Sequence, residues 1–308
     1  MTIGGRLGVA AAQYGPHIGA VRSFAEAAEE IGFDSLWVGD RLMLPEHPTE
    51  LYGGVAPWPE AYGTFLDPLI TLATVAARTE RIRLGTNVLI APLHTPVRLA
   101  RELASLDVLS GGRLVVGLGV GWSRQEYAAA GVPWSERGAR LEETLDVLAE
   151  VWSDGPAEHS GHFWQIDRSR MDPKPVQRPG PPVYLAGFAP QALERVGRRA
   201  AGWLPAGLPI AQMGQIWQQI RRPDHGLDSQ EMIVRANVHL TETDLPASRR
   251  FPFTGSRIQV VHDIHAAYEA GAAEVFVDLQ QTCTDPKHLL DEAALIHQAV
   301  RETRMGEC

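Results

Sequence analysis

The stretch Arg81–Trp122, RIRLGTNVLIAPLHTPVRLARELASLDVLSGGRLVVGLGVGW, contains an apolar run, a helical period and a second apolar run. Ile82–Ile90 and Arg113–Gly121 are rich in the β-branched and aliphatic residues that favour strands. Between them, Thr95-Pro96 places a candidate N-cap side chain before a proline at the first helical position. A strand, a crossover helix and a second strand in this order form one βαβ unit of a parallel sheet.

The same rhythm extends in both directions. Strand candidates are Arg6–Gln13, Ser35–Asp40, Ile82–Ile90, Arg113–Gly121, Pro182–Gly187, Gly202–Gly207, Met232–Leu240 and Glu274–Gln280, each followed by a helix-like segment. Eight such repeats predict a single (β/α)₈ TIM barrel, an α/β fold. An open sheet is the alternative, because Gly202–Gly207 is short and contains Pro205. Asp67-Pro68 repeats the capping pattern, and Ser135 is a candidate cap for the helix that follows it. The 308 residues are read as one domain, 1–308, since barrels of ~250 residues or more fold as one unit.

Three connections are long: Arg41–Leu66, Ser153–Pro181 and Thr241–Gly255. The first and third follow strands, so they are loop insertions on the C-terminal face. The first carries Tyr52, Trp58 and Tyr62 among prolines and glycines, and reads either as a lid over an apolar pocket or as an ordered surface loop.

A formal net charge of −9 opposes the phosphate backbone, so no nucleic-acid partner is expected. No apolar run is long enough for a bilayer, and the first residues lack the pattern of a secretory leader, so a cytoplasmic protein without a membrane partner is expected. Cys283 and Cys308 read as free thiols.

Barrel enzymes build their chemistry at the C-terminal ends of the strands. The residues there are Gln13, Tyr14, Asp40, Arg41, Thr86, Asn87, His94, Gly119, Val120, Gly121, Trp122, Ala186, Gly187, Phe188, His239, Asp278 and Gln280. Schiff-base chemistry needs a lysine on a strand, yet the lysines are Lys174, in a proline-rich connection, and Lys287, near the last helix. His262 and His265 lie on a predicted outer helix and read as a solvated pair, so no catalytic metal is expected. Glycines, amide and hydroxyl donors, one buried-looking carboxylate and several aromatics suit a flat cofactor better than covalent attack.

At strands two to five the motifs become specific: Ser35–Asp40 (SLWVGD), Leu84–Leu89 (LGTNVL), Gly112–Leu114 leading to Gly117–Trp122 (GLGVGW), and Pro173–Pro179 (PKPVQRP) before Ala186-Gly187. In this order and spacing the chain resembles the luciferase-like monooxygenase superfamily, within it the branch using coenzyme F420, a deazaflavin. The resemblance runs from about residue 6 to the last helix. It implies a non-prolyl cis bond at Asn87–Val88 that forms a bulge against the cofactor ring. It also implies that Asp40 faces the deazaflavin and that Val120, Gly121, Trp122 and Gln125 flank the cofactor. Ala186, Gly187, Phe188 and Ala189 would present backbone N–H groups to its phosphate.

There are departures from the family pattern. Arg41 stands where many deazaflavin-dependent relatives have a histidine, and arginine cannot shuttle protons at neutral pH. Trp122 replaces the glutamate of the sugar-phosphate dehydrogenases, and Ala189 lacks a hydroxyl often found at the phosphate turn. The resemblance implies hydride transfer between coenzyme F420 and a small organic substrate, with Asp40, Arg41 and Trp122 as candidate catalytic residues. Asp40 would bond the ring or assist proton movement, Arg41 would orient an anionic substrate or stabilise developing negative charge, and Trp122 would wall the pocket. An FMN-dependent two-component monooxygenase is the alternative on the same fold, and a non-catalytic flavin-binding or ligand-binding barrel is the alternative from another class. Tyr52, Trp58, Tyr62 and Phe163 point to an apolar or aromatic substrate, and the resemblance suggests a homodimer.

Overall fold

The computed structural model describes residues 5–52, 56–221 and 230–305. Strands β1 (Arg6–Ala10), β2 (Ser35–Val38), β3 (Arg83–Thr86), β4 (Leu89–Ile90) and β5 (Leu114–Gly119) form the first half of the sheet. A hairpin, β6 (Ala157–Ser160) and β7 (Gln165–Ser169), intervenes before β8 (Val183–Leu185), β9 (Gly202–Trp203) and β10 (Glu231–Asn237). The short β11 (His239–Leu240) and β12 (Thr254–Gly255) pair with each other, and β13 (Ala272–Asp278) completes the set. The main sheet runs β3-β2-β1-β13-β10-β9-β8-β5-β4, and β3 also pairs with β5, which closes the ring. Because β3 and β4 are two halves of one broken strand, this is an eight-stranded parallel barrel.

Nine helices are described, and the eight longer ones are α1 (Val21–Ile31), α2 (Pro68–Ala76), α3 (Pro96–Leu109), α5 (Arg137–Trp152), α6 (Pro190–Arg199), α7 (Ile210–Ile220), α8 (Arg257–Glu269) and α9 (Pro286–Met305). The short α4 (Arg124–Ala129) follows β5. Helix α1 shows how the sequence builds them. Val21, Phe24, Ala25 and Ala28 are buried at helical spacing, and Gly32 ends the helix at φ 99°, where its N–H reaches Ala28 O. Asp67 caps α2 through Ile70 N, and Ser256 with Gln259 forms a capping box on α8. Among the described residues no helix is long and apolar enough to cross a membrane.

Inside the ring, Trp37, Val115, Tyr184, Leu204, Ile233 and Phe276 form an inner apolar layer. Trp37 stacks on Phe276 with ring centroids 4.9 Å apart. Glycine at position 85 makes room for that indole, since a Cβ there would lie 2.2 Å from Trp37 Cε3. Beneath this layer, Glu274 is fully buried and accepts from Trp37 Nε1 at 2.9 Å and from Ser35 Oγ. Arg6 approaches Glu274 at 3.0 Å and Arg83 at 3.4 Å, while Arg6 also reaches Glu231 at 2.5 Å. One carboxylate thus ties β1, β2 and β3 to β13.

Several expectations need correction. Thr95 stands at the N-cap of α3 but its side chain makes no capping bond, so proline at N1 carries that start. Ser135 lies in a 3₁₀ turn, Trp134–Glu136, and α5 begins after it at Arg137 without a side-chain cap. The connection read as Ser153–Pro181 contains the β6–β7 hairpin, whose exposed polar faces hid the alternation. Phe163 sits at the tip of that hairpin against Arg140 and Trp164, apart from the cluster formed by Tyr52, Trp58 and Tyr62. Cys308 lies outside the described residues. Cys283 is buried, and burial pushes its thiol up to about 12.

Replacing Glu274 by alanine leaves Arg6, Arg83 and the Trp37 indole N–H without their shared acceptor. Losing one partner of a buried ion pair costs about 3–5 kcal/mol. Arg6 is partly exposed and keeps Glu231, so a loss near 3 kcal/mol is expected for Glu274→Ala by chemical denaturation. A loss below 1 kcal/mol would show that the floor network is not what holds these strands.

Candidate active site

Two cavities compete for attention. The larger, about 810 Å³, lies at the N-terminal strand ends, where its Arg6 and Arg83 are already paired with Glu231 and Glu274. The other, about 220 Å³, lies at the C-terminal strand ends, where barrel enzymes place their chemistry. Its lining includes Asp40, Arg41, Asn87, Val88, Gly121, Trp122, Ala186 and Phe188 from the sequence-derived candidates.

Strand three breaks beside this cavity. The Asn87–Val88 peptide bond is cis, as the resemblance implies, and it separates β3 from β4. Val88 then projects across the neighbouring strand, so that a Cβ on Gly119 would lie 2.6 Å from Val88 Cγ2. The glycine of the Gly-x-Gly run therefore serves close packing at this point.

Asp40, just past β2, accepts from Ile90 N at 2.9 Å. His94 Nε2 lies 3.3 Å from the same carboxylate oxygen, Asp40 Oδ2. The imidazole that the sequence lacks at position 41 thus reaches the aspartate from the loop after strand three. Burial opposes protonation of His94, but the hydrogen bond and charge of Asp40 outweigh it and raise its pKa. His94 lines an outer groove with Asp67 and Glu102, whereas Asp40 lines the inner cavity.

Arg41 is not a solvated surface side chain, its side chain being 7% exposed. Its guanidinium carbon lies 5.0 Å from the Trp58 ring centroid and 4.8 Å from that of Trp122, a clamp with cation–π character. Nε sits 3.3 Å from Glu126 Oε1, which also accepts from Leu42 N at 2.8 Å. Burial raises the pKa of Glu126 despite its cationic partner. Trp122 also meets Tyr52, and Tyr62 donates to Tyr52 at 3.0 Å. Tyr52 and Tyr62 line the cavity and Trp58 braces Arg41, so the long segment after β2 covers the site rather than merely crossing the surface. Gln13 anchors that segment: its Nε2 donates to Gly39 O and to Leu66 O.

Four candidates fall outside the lining. Val120 presents its carbonyl to Tyr127 Oη at 2.5 Å. Gln125, on α4, bonds Thr49 N and His47 O and so fastens the covering segment instead of facing the cavity. Gly187, at φ 138°, and Ala189 lead into α6, whose N-cap makes no side-chain hydrogen bond. Sequence reasoning missed Arg235, which lines the cavity and pairs with Asp278 at 2.6 Å, and Glu126 behind Arg41. The signal for Arg235 was a lone charge in the apolar strand Met232-Ile233-Val234-Arg235-Ala236.

None of the described residues lining the cavity is serine, threonine, cysteine, lysine or histidine. No group of three or more His, Cys, Asp or Glu among the described residues is placed to hold a metal ion. Side chains of these kinds can bind, orient and move protons, and a cavity lined by aromatics, amides and paired charges suits a planar redox cofactor.

His94 carries a stability signature. Because its pKa is raised in the folded protein, the Asp40 contact stabilises fully below the unfolded histidine value of about 6.5 and fades as pH climbs through the raised value. The stability advantage of the native protein over His94→Gln should therefore be largest at low pH and shrink across that window. Thermal unfolding against pH and an NMR titration of the His94 ring check this, and a pH-independent difference would contradict the ion pair.

Comparison with known proteins follows the same lines. The chain is 32% identical over 198 residues to an F420-dependent glucose-6-phosphate dehydrogenase from Amycolatopsis mediterranei, covering 63% of this chain and 54% of that protein. It is 37% identical over 132 residues to the oxygenase component of a flavin-dependent trigonelline monooxygenase from Acinetobacter baylyi, covering 42% of this chain and 36% of that protein. The fold matches coenzyme F420-dependent tetrahydromethanopterin reductase from Methanopyrus kandleri with a TM-score of 0.75 at 16% identity, over 97% of this chain and 99% of that one. Residues 2–303 match the family model for luciferase-like monooxygenases, and with its closed barrel and its site at the strand C-termini the chain belongs to that family, whose members are oxidoreductases and monooxygenases.

Proposed function

We propose that the protein is a coenzyme F420-dependent oxidoreductase acting on a small, flat, apolar or aromatic substrate. The observation that carries this reading is the composition of the cavity wall. Among the described residues it has aromatic and amide surfaces and paired charges and no Ser, Thr, Cys, Lys or His, which supports reactive atoms supplied by a bound cofactor. When bound, a deazaflavin supplies or accepts a hydride at its central ring.

The chain's own residues fit such a group. Val88 offers an apolar face beside Gly121 and Trp122. The uncapped N-terminus of α6 after Ala186–Ala189 suits a phosphate, since first-turn N–H groups and the helix dipole favour an anion. Asp40 uses Oδ2 for both Ile90 and His94, which leaves Oδ1 for the ring or for a proton. His94 and Asp40 would then hand that proton between the outer groove and the cavity. Arg41, clamped by Trp58 and Trp122 and backed by Glu126, holds a fixed positive charge at the wall. The covering segment, through Tyr52 and Tyr62, keeps water from the reacting atoms.

The 32% identity to an F420-dependent dehydrogenase supports the deazaflavin. The 37% identity to a flavin-dependent oxygenase component over 132 residues favours FMN as the second reading. Fluorescence titration of the purified protein with each cofactor separately decides between them. Coenzyme F420 is expected to bind at least about tenfold more tightly than FMN, a difference of about 1.4 kcal/mol. Gly187→Leu, whose Cβ would lie 2.7 Å from Ala192 Cβ at the start of α6, should weaken that binding by a similar factor. A preference for FMN would move the assignment to a monooxygenase, and binding of neither would overturn both.

A further inference from the structure

The cavity has a second polar pole that the reading above does not use. Arg235 on β10 donates through Nη2 to Asp278 Oδ2, at the end of β13, at 2.6 Å. Its Nε is buried and finds no hydrogen-bond partner among the described residues. The hydroxyl of Tyr14, a residue 2% exposed, likewise has no partner among them. Both residues line the cavity. Arg41 Nη1, elsewhere in the lining, is unmet among them as well. Buried donors left unmet are uncommon in folded proteins and cost about 1–3 kcal/mol each, so those of Arg235 and Tyr14, both in the lining and both bearing on Asp278, need an explanation.

The neighbouring acceptors are already engaged. Asp278 Oδ2 holds Arg235, and Asp278 Oδ1 accepts from Gln280 N at 3.1 Å and from Gln280 Nε2 at 3.3 Å. Gln280 Oε1 in turn accepts from Gln13 N and Tyr14 N. Asn237 Oδ1, two residues along β10, is also unmet among the described residues, but Asn237 is not part of the cavity lining. Burial and the nearby Asp278 charge keep the Tyr14 hydroxyl protonated, so it presents a hydrogen. The lining they share is largely aromatic, with Tyr62, Phe65, Trp37 and Phe276.

We infer that Arg235 and Tyr14 form the substrate-recognition end of the cavity, built for an acceptor-only oxygen conjugated to a flat ring, such as a phenolate, an enolate or a ring carbonyl. This inference rests on the oxidoreductase reading in taking the occupant to be the substrate. Beside this pair a neutral hydroxyl is disfavoured, because the nearest carboxylate and amide oxygens, Asp278 Oδ1, Asp278 Oδ2 and Gln280 Oε1, are already engaged. Ring binding alone comes from the aromatic wall, while the two donors select the oxygen and its protonation state.

The probe is 4-nitrophenol, with its O-methyl ether 4-nitroanisole as the control, added to cofactor-free protein at a pH where free 4-nitrophenol is mostly protonated. The expected result is binding of 4-nitrophenol with the visible absorbance of its phenolate, and at least tenfold weaker binding of the ether. Tyr14→Phe removes a hydroxyl that bonds nothing among the described residues, so its thermal stability should match the native protein. Its affinity for the probe should fall about tenfold, the worth of one hydrogen bond to a charged group. The double variant Arg235→Gln with Asp278→Asn, which avoids stranding a buried charge, should abolish the phenolate band. Equal binding of ether and phenol, or native affinity in Tyr14→Phe, would overturn the inference. A fall in coenzyme F420 affinity in Tyr14→Phe with probe binding unchanged would assign the donors to the cofactor, overturning this inference while leaving the oxidoreductase reading intact. Probe binding as expected in a protein that binds neither cofactor would sustain the recognition site and sink the oxidoreductase reading.

Discussion

The carboxylate of Glu274 is wholly enclosed by protein, and the upper part of the barrel is arranged around it. It accepts from Trp37 and Ser35 on one strand and is neutralised by Arg6 and Arg83 on two others. A buried charge of this kind is tolerated only when its lone pairs are filled and its partners fixed in place. The consequence reaches upward. Trp37 is held with its indole N–H down and its ring flat against Phe276, and that pair forms the floor on which the cavity stands. Glycine at position 85 is needed for the same reason, since no side chain can share the space of the indole.

Above the floor, the site balances each charge locally. Arg41 is paired with Glu126, His94 with Asp40, and Arg235 with Asp278. In a low-dielectric pocket an isolated charge would shift its pKa or be expelled, and pairing lets charged groups remain as fixed dipoles around a reacting molecule. The pairs come from different strands and from the covering segment, so positioning of the chemistry and closure of the barrel depend on the same contacts. Arg41 shows this well. Its position next to Asp40 in sequence suggested a partner for substrate, yet its orientation is set by Trp58 and Trp122 and by a glutamate on α4.

The histidine at position 94 corrects a chemical doubt raised by the sequence. The family resemblance leads to the expectation of an imidazole at the position of Arg41, and linear reading finds no replacement beside Asp40. The loop after the broken strand three folds back so that His94 meets Asp40 from the other side. An imidazole beside the aspartate is thus supplied by geometry rather than by position in a motif.

The repeating alternation of apolar strands and capped helices was enough to predict eight βα units, because period and punctuation are local properties of the chain. The motifs around Asp40, Asn87, Gly121 and Ala186 located the same end of the barrel for the same reason, as strand ends are adjacent in space whenever the strands are parallel. What the linear order left undecided depended on contacts between distant residues. Closure rather than an open sheet required β3 to pair with β5, and the hairpin β6–β7 was masked by its exposed polar faces. Arg235 is a lone charge in an apolar strand and Glu126 carries no motif, while the resemblance places Gln125 beside the cofactor. Only tertiary structure turned Glu126 toward Arg41 and Gln125 toward the covering segment, because burial and charge pairing are decided by which side chains the fold brings within a few ångströms of one another.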